Sequence, residues 1–333
     1  QAQGERCFHI FYQITKAATD DERSEWSLRG PEDYGYINKS GVYDVPEIDD
    51  EFEYVQTKEA FEIMNVKQED AHNILTVIAG ICHIGNILFK EGRSETSLVE
   101  NDEPLAVCAQ TLGLNADSLK KGLIEPTITV VGKKVKQAMP VKKAFASRDA
   151  LTKAIYGRLF LFLIKKINET IGRSKRSAFI GVLDIAGFEI FEYNTFEQLC
   201  INYTNEKLQQ FFNNHMFKLE QEEYIREQIN WTFIDFGMDS QATIDLIDAK
   251  QPPGIMTLLD ESVYVNADDK RFLEKCHSQH KVHPKYSEPR FSKTALEISH
   301  YAGKVSYETE NWVEKNKDPL QVDLMTCMVE STN

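Results

Sequence analysis

The sequence predicts a mainly α-helical fold with a small β component. Two long stretches, Gln68 to Phe89 and Arg148 to Gly172, repeat apolar residues at spacings of three and four, and a third from Phe196 to Leu219 does the same. The β-branched runs, by contrast, are short and scattered. In order along the chain, Phe8 to Ile14 is compact and apolar. Thr19 to Val45 carries Gly30-Pro31, Asp33, Gly35, Asn38 and Gly41 and reads as a long surface connection. In the first helix Ile74, Leu75, Ile78, Ile81, Cys82, Ile84 and Leu88 hold the period despite Gly80 and Gly85. Thr127 to Val131 and Val135 to Val141 flank Gly132-Lys133-Lys134 as a projecting hairpin-like loop, and Gly172 is placed to end the helix that opens at Arg148-Asp149. Leu296 to His300 and Val305 to Tyr307 alternate about Ala302-Gly303 as a second hairpin.

A chain of 333 residues, 42% hydrophobic and 27% charged, has room for about two domains with real cores and does not have the composition of a disordered protein. No apolar run approaches the ~18 residues of a membrane helix, and Gln1 to Arg6 lacks a basic, apolar-flanked leader, so a cytoplasmic protein is expected. The net charge of −14 repels nucleic acid and anionic lipid. Six scattered cysteines without a Cys-x-x-Cys pair fit reduced thiols.

Chemistry concentrates at Phe179 to Glu189. An apolar run, Phe179 to Leu183, ends in Asp184, the position from which nucleotide hydrolases hold Mg2+ directly or through water. The bland alternative is a buried strand closed by an Asx turn. Gly187 lets backbone approach a phosphate, or is a loop glycine needing positive φ; Glu189 is a second acid beyond it, or a first-turn acid of the following helix. Asn194-Thr195-Phe196-Glu197 reads as a capping box. With no Gly or Pro before Trp231, the helix behind it can run roughly 30 residues, or about 45 Å, either as a core helix or as a rod carrying loop movements to a distant site.

Asp184-Ile185-Ala186-Gly187-Phe188-Glu189 resembles switch II of the myosin heavy-chain motor, and Asn202 to Gln209 resembles the signature of its relay helix. Gly4 to Gln13, Gln251 to Ile255, His300 to Gly303 and Asn316-Lys317-Asp318-Pro319-Leu320 are similar to that family in the expected order, with conventional, class II non-muscle members nearest in character. The resemblance implies the central part of a P-loop NTPase-type motor using ATP and Mg2+. Gly187 would donate its N–H to the γ-phosphate, Asp184 would sit in the outer coordination layer of Mg2+, and Glu189 would help close the site around the attacking water. Phe188, Asn205 and Trp231 would transmit force. Actin filaments would meet Lys133, Lys134 and Lys136 on the first hairpin and Pro252, Pro253, Ile255 and Met256 in the helix-loop-helix near Ala249 to Arg271.

It further implies an upper 50-kDa portion at 1–183 with a core-sheet strand at about 178–184, switch II and relay at 184–235, a lower actin-binding subdomain at 236–315, and a strut returning at 316–333. The sequence has no Gly-x-x-x-x-Gly-Lys-Ser/Thr and no Asn- and Ser-rich switch I, so an internal fragment, inactive alone and dependent on the rest of the heavy chain, is expected. A non-catalytic actin-binding module is the alternative; a kinesin-type motor fits the helix after Glu189 poorly. Of the other signals, the lysines of 133–143 read as a solvated face or a site for an acidic partner. Pro252 to Met256 reads as an exposed anchor or as buried packing. Cys276 to His283 gathers metal-ligating residue types but lacks the two separate segments of a structural zinc site, and the resemblance implies a variable surface loop there.

Overall fold

The computed structural model describes residues 4–130, 133–172, 178, 180–232, 234, 240–317 and 320–332, leaving out the side chains of 128–130 and Lys134. The predicted turn at Gly132, the start of the apolar run at Phe179, and Asp318-Pro319 lie outside the described residues. The chain forms two compact units, one of residues 1–177 and 318–333 and the other of residues 178–317.

The first unit is a helical assembly around one apolar core. Helices His9–Ala17, Asp20–Glu25, Asp50–Ile63, Gln68–Ile84, Asp102–Thr111, Ala116–Ile124 and Val141–Ile171 are joined by two antiparallel hairpins, Phe89–Glu91 with Ser97–Val99 and Thr127–Val130 with Lys133–Lys136. The returning helix Val322–Val329 packs on Ala116–Ile124, where Gly122 leaves the space that Leu324 fills, and Asp323 takes the Thr127 N–H at 2.7 Å at the foot of the lysine hairpin. Gly80 keeps its place in a helix interior for a similar reason, since a Cβ there would lie 2.3 Å from a Leu112 methyl.

Three expectations change in this unit. Thr19 to Val45 is not a surface connection: Thr19 caps a short helix, and Trp26, Leu28, Tyr34 and Ile37 are all buried in the core. Turn residues dominate its composition, but its aromatic and aliphatic residues decide where it goes. The long helix starts at Val141 rather than Arg148, because Pro140, in extended conformation at the N-cap, is well suited to precede a first turn. It ends as expected at Gly172, whose φ of 73° lies in the left-handed region. The helix beginning at Gln68 stops at Ile84, ahead of Leu88.

In the second unit, Gln241–Asp248, Ile255–Tyr264 and Asp269–His280 pack with the three-stranded antiparallel sheet Tyr286–Ser287, Ala295–Ser299, Lys304–Glu308 and with the short helix Trp312–Lys315. The predicted second hairpin is present, with Leu296 opposite Tyr307 and Ile298 opposite Val305. The expected core-sheet strand is not seen among the described residues: Ile180 and Val182 are exposed, and residues 180–184 pair with nothing there. A strand needs a neighbouring edge to satisfy its backbone, and the described residues offer none here. Cys276 to His280 is helix rather than loop, and only the turn at 281–283 matches the expected surface loop. Cys276 and His280 are buried on the helix Asp269–His280, and no group of three His, Cys, Asp or Glu suited to a metal occurs among the described residues.

Candidate functional site

Residues 184–189 are held by the helix that follows them. Thr195 is the N-cap of Phe196–Asn213, with Gln198 Oε1 accepting from the Thr195 N–H at 2.9 Å, one position later than the sequence suggested. The helix then runs without interruption through a π-helical turn, Asn214–Leu219, into Glu220–Arg226, close to the expected length. Its buried face is largely polar. Leu199 is accompanied there by Asn202, Glu206, Asn213 and Gln221; of the other residues in the apolar period, Phe196, Cys200, Tyr203 and Leu208 are half-buried, and the C-terminal four, Phe211, Phe212, Met216 and Leu219, are exposed.

That inversion is explained by what the polar groups grip. Asn202 pairs with both backbone groups of Glu189, accepting from its N–H and donating to its C=O, each at 2.8 Å; Asn205 donates to the Ala186 carbonyl at 2.9 Å. The second Asn202 N–H goes to Tyr307 Oη at 2.8 Å, Tyr307 Oη lies 2.8 Å from His300 Nε2, and His300 Nδ1 lies 3.0 Å from Glu206 Oε2. The Glu206 and His300 side chains are wholly enclosed, at 1% and 0% exposure. Burial raises the Tyr307 pKa above the ordinary phenol value, which keeps its hydroxyl protonated and able to donate. Phe188 sets its ring edge-on to His300 and Tyr301, with centroids 5.2 and 5.4 Å away. Asn194, also buried, ties Phe191 to the Ser306 carbonyl.

The residues expected to meet nucleotide are left open on this scaffold. Asp184 is exposed and without a partner among the described residues. The Gly187 N–H makes no hydrogen bond there, its φ is not positive, and nothing lies within 4 Å of where a Cβ would be. Nothing among the described residues therefore requires glycine at 187. The Glu189 carboxylate is half-buried and faces Gln198 Nε2 at 3.5 Å.

At the other end of the rod, Trp231 is 39% exposed, donates from Nε1 to Gln221 Oε1 at 2.8 Å and sits edge-on to Tyr224 at 5.1 Å. Gln221 also accepts from Ile234 N at 2.7 Å and donates to Ile234 O at 2.9 Å. Sequence reasoning gave no role to Asn202, Glu206, Gln221, His300 or Tyr307. Polar residues on the helical face set by Leu199 were the available signal.

The expected actin-facing residues fare unevenly. Lys133 is exposed on its strand, but Lys136 is paired with Glu125 at 2.7 Å, which neutralises part of the lysine cluster. Ile255 was expected at the surface and is 0% exposed within the core of the second unit; the turn before it drives it inward as the first residue of its helix. Met256 is half-buried against the same core, Pro253 is half-buried and Pro252 is exposed. The exposed apolar pair in this region is Tyr264 and Val265, at 89% and 68%, at the far end of that helix.

Comparison with known proteins agrees with these features. The myosin head (motor domain) family matches residues 1–333. The chain is 48% identical to a non-muscle myosin-2 heavy chain of Acanthamoeba castellanii over all of its own length and 22% of that protein's. It is 42% identical to a non-muscle myosin heavy chain of Drosophila melanogaster over 98% of its own length and 16% of that protein's. It thus spans about a fifth of the length of these relatives. A family match along the whole sequence, with the loop, rod and hairpin assembled from the segments that carried the resemblance, shows that the chain belongs to the myosin head (motor domain) family, with the character of its non-muscle class II members.

Proposed function

We propose that residues 184–235 are the nucleotide-sensing and transmitting segment of an actin-based motor that couples ATP hydrolysis to movement, and that the remainder supplies actin-facing surfaces. The observation that carries this reading is the double grip of one helix. Asn202 and Asn205 hold the backbone of 186–189 near its start, and Gln221 holds the Trp231 loop near its end. A displacement of the loop at one end is thereby delivered to the other through a rod of continuous backbone hydrogen bonds.

The open groups suit Mg-ATP. Gly187 has an unclaimed N–H and open space on its Cβ side, as close approach of a phosphate oxygen requires, and Asp184 has a free carboxylate for the water layer of a cation. Mg2+, when bound, neutralises charge that builds on the transferring phosphoryl group. Gly187 would orient that group through its N–H, and Glu189, anchored by both backbone groups, would close the site and exclude bulk water. The P-loop NTPase architecture, with phosphate cradle and switch I drawn from the rest of the heavy chain, belongs to this proposal. So does the division into an upper 50-kDa unit at 1–177 and 318–333 and a lower one at 178–317.

Actin, an acidic filament, would be met electrostatically by Lys133 and Lys134 and through desolvated contact by Tyr264 and Val265, which have the exposure that Ile255 lacks. In the complete heavy chain, Glu189→Ala should cut ATP hydrolysis by orders of magnitude and leave nucleotide binding largely intact. Normal steady-state turnover in that variant would overturn the assignment.

A further inference from the structure

The buried network behind Glu189 admits one direction of donation. The Glu189 N–H can only donate and its C=O can only accept, which fixes the Asn202 amide with oxygen toward the first and nitrogen toward the second. The remaining Asn202 N–H goes to Tyr307 Oη, so the phenol hydrogen is left for His300 Nε2. His300 must then carry its hydrogen on Nδ1, where Glu206 Oε2 accepts it alongside the Tyr301 N–H. Glu206 Oε1 has no partner among the described residues, so His300 is the side chain that compensates this enclosed carboxylate. Reversing any one link would set donor against donor in a site closed to water, a costly arrangement.

We propose that Tyr307, His300 and Glu206 are positioning residues for the phosphate-sensing loop: through this one-way chain they hold the Asn202 amide in the orientation that grips Glu189, two residues beyond the unclaimed Gly187 N–H. None of the three touches the reacting atoms. The proposal rests on the reading of 184–189 given above.

The test uses the complete heavy chain. Tyr307→Phe keeps the ring and removes only the hydroxyl. The loss of this link should lower kcat for Mg-ATP hydrolysis about ten-fold while nucleotide affinity stays within about two-fold. On an Asn202→Ala background the same substitution should cost nothing further, because Tyr307 acts through Asn202. An unchanged kcat, an equal additional loss on the Asn202→Ala background, or a lowered melting temperature with kcat intact would each overturn the proposal. His300→Gln serves as the second variant if Asn202→Ala does not fold: the same selective loss of kcat supports the chain, and wild-type kcat refutes it. Glu189→Ala, measured alongside, separates the two layers. Normal turnover there sinks the phosphate-sensing reading, whereas a large loss there with an unaffected Tyr307→Phe sinks the positioning role alone.

Discussion

Gln221→Ala should release the Trp231 loop from the rod. Gln221 is 3% exposed and makes three bonds to that loop, accepting from Trp231 Nε1 at 2.8 Å and from Ile234 N at 2.7 Å and donating to Ile234 O at 2.9 Å. A net value of about 1 kcal/mol per bond gives about 3 kcal/mol, and the half-exposed Trp231 regains part of that from water, leaving about 2 kcal/mol. That is roughly a 30-fold rise in the fraction of time the loop is open. Amide hydrogen exchange of Ile234 in the complete heavy chain reads this directly and should accelerate by about that factor, with Trp231 becoming more accessible to a fluorescence quencher when Trp231→Phe is subtracted as background. Trp26 and Trp312, at 1% and 0% exposure, contribute little to the quenchable signal. Gln221→Glu keeps the two accepted bonds and loses the donated one, so it should lie between. Ile234 exchange at the wild-type rate in Gln221→Ala would refute the account of how the loop is held.

The remaining predictions address charge, core and pH. Lys133→Ala should flatten the salt dependence of actin association more than Lys136→Ala does, since Lys136 is already paired with Glu125; equal slopes in stopped-flow mixing would show that the pairing does not matter. Ile255→Ala should destabilise by about 2 to 5 kcal/mol in denaturant unfolding, whereas Tyr264→Ala should leave stability nearly unchanged and speed dissociation of the nucleotide-free actin complex, and the opposite pattern would restore Ile255 as the anchor. His280 has its pKa lowered from 6.5 to about 4 by burial. The unfolded chain therefore binds the proton first, stability is lost as pH falls from about 6.5 towards 4, and the loss from this residue is up to about 3 kcal/mol. His280→Gln should flatten that limb of the stability curve, and an unchanged limb would assign it to other groups.

What could be read from the sequence was local. The end of the long helix at Gly172, the hairpin about Gly303 and the order Asp184, Gly187, Glu189 follow from residues close together in the chain, and each is visible as a pattern. The grip on Glu189 was not visible, because it joins Asn202 and Glu206 to His300 and Tyr307 about a hundred residues away, and a polar residue in a helix carries no mark of the partner it will find. Ile255 was misjudged for a related reason: a proline-rich turn beside apolar residues looks the same whether those residues face solvent or core. The strand before Asp184 failed in the opposite sense, since its composition is right and its pairing partner is missing from the described residues.

The π-helical turn at Asn214–Leu219 sets the phase between the two ends of the rod. Asn213 and Gln221 are eight positions apart, which in a regular α-helix leaves them about 80° out of line. The wide turn absorbs one residue of that count, so the effective interval is seven, two full turns, and Gln221 comes round to the face already occupied by Asn202, Glu206 and Asn213. The chain thus carries one spare residue between its two grips. Deleting a single residue within 214–219 would remove the widening and preserve the alignment, while the same deletion between Asn202 and Asn213 would swing every downstream contact away from its partner. The bulge is a spacer that keeps the grip on Glu189 and the grip on Trp231 in register.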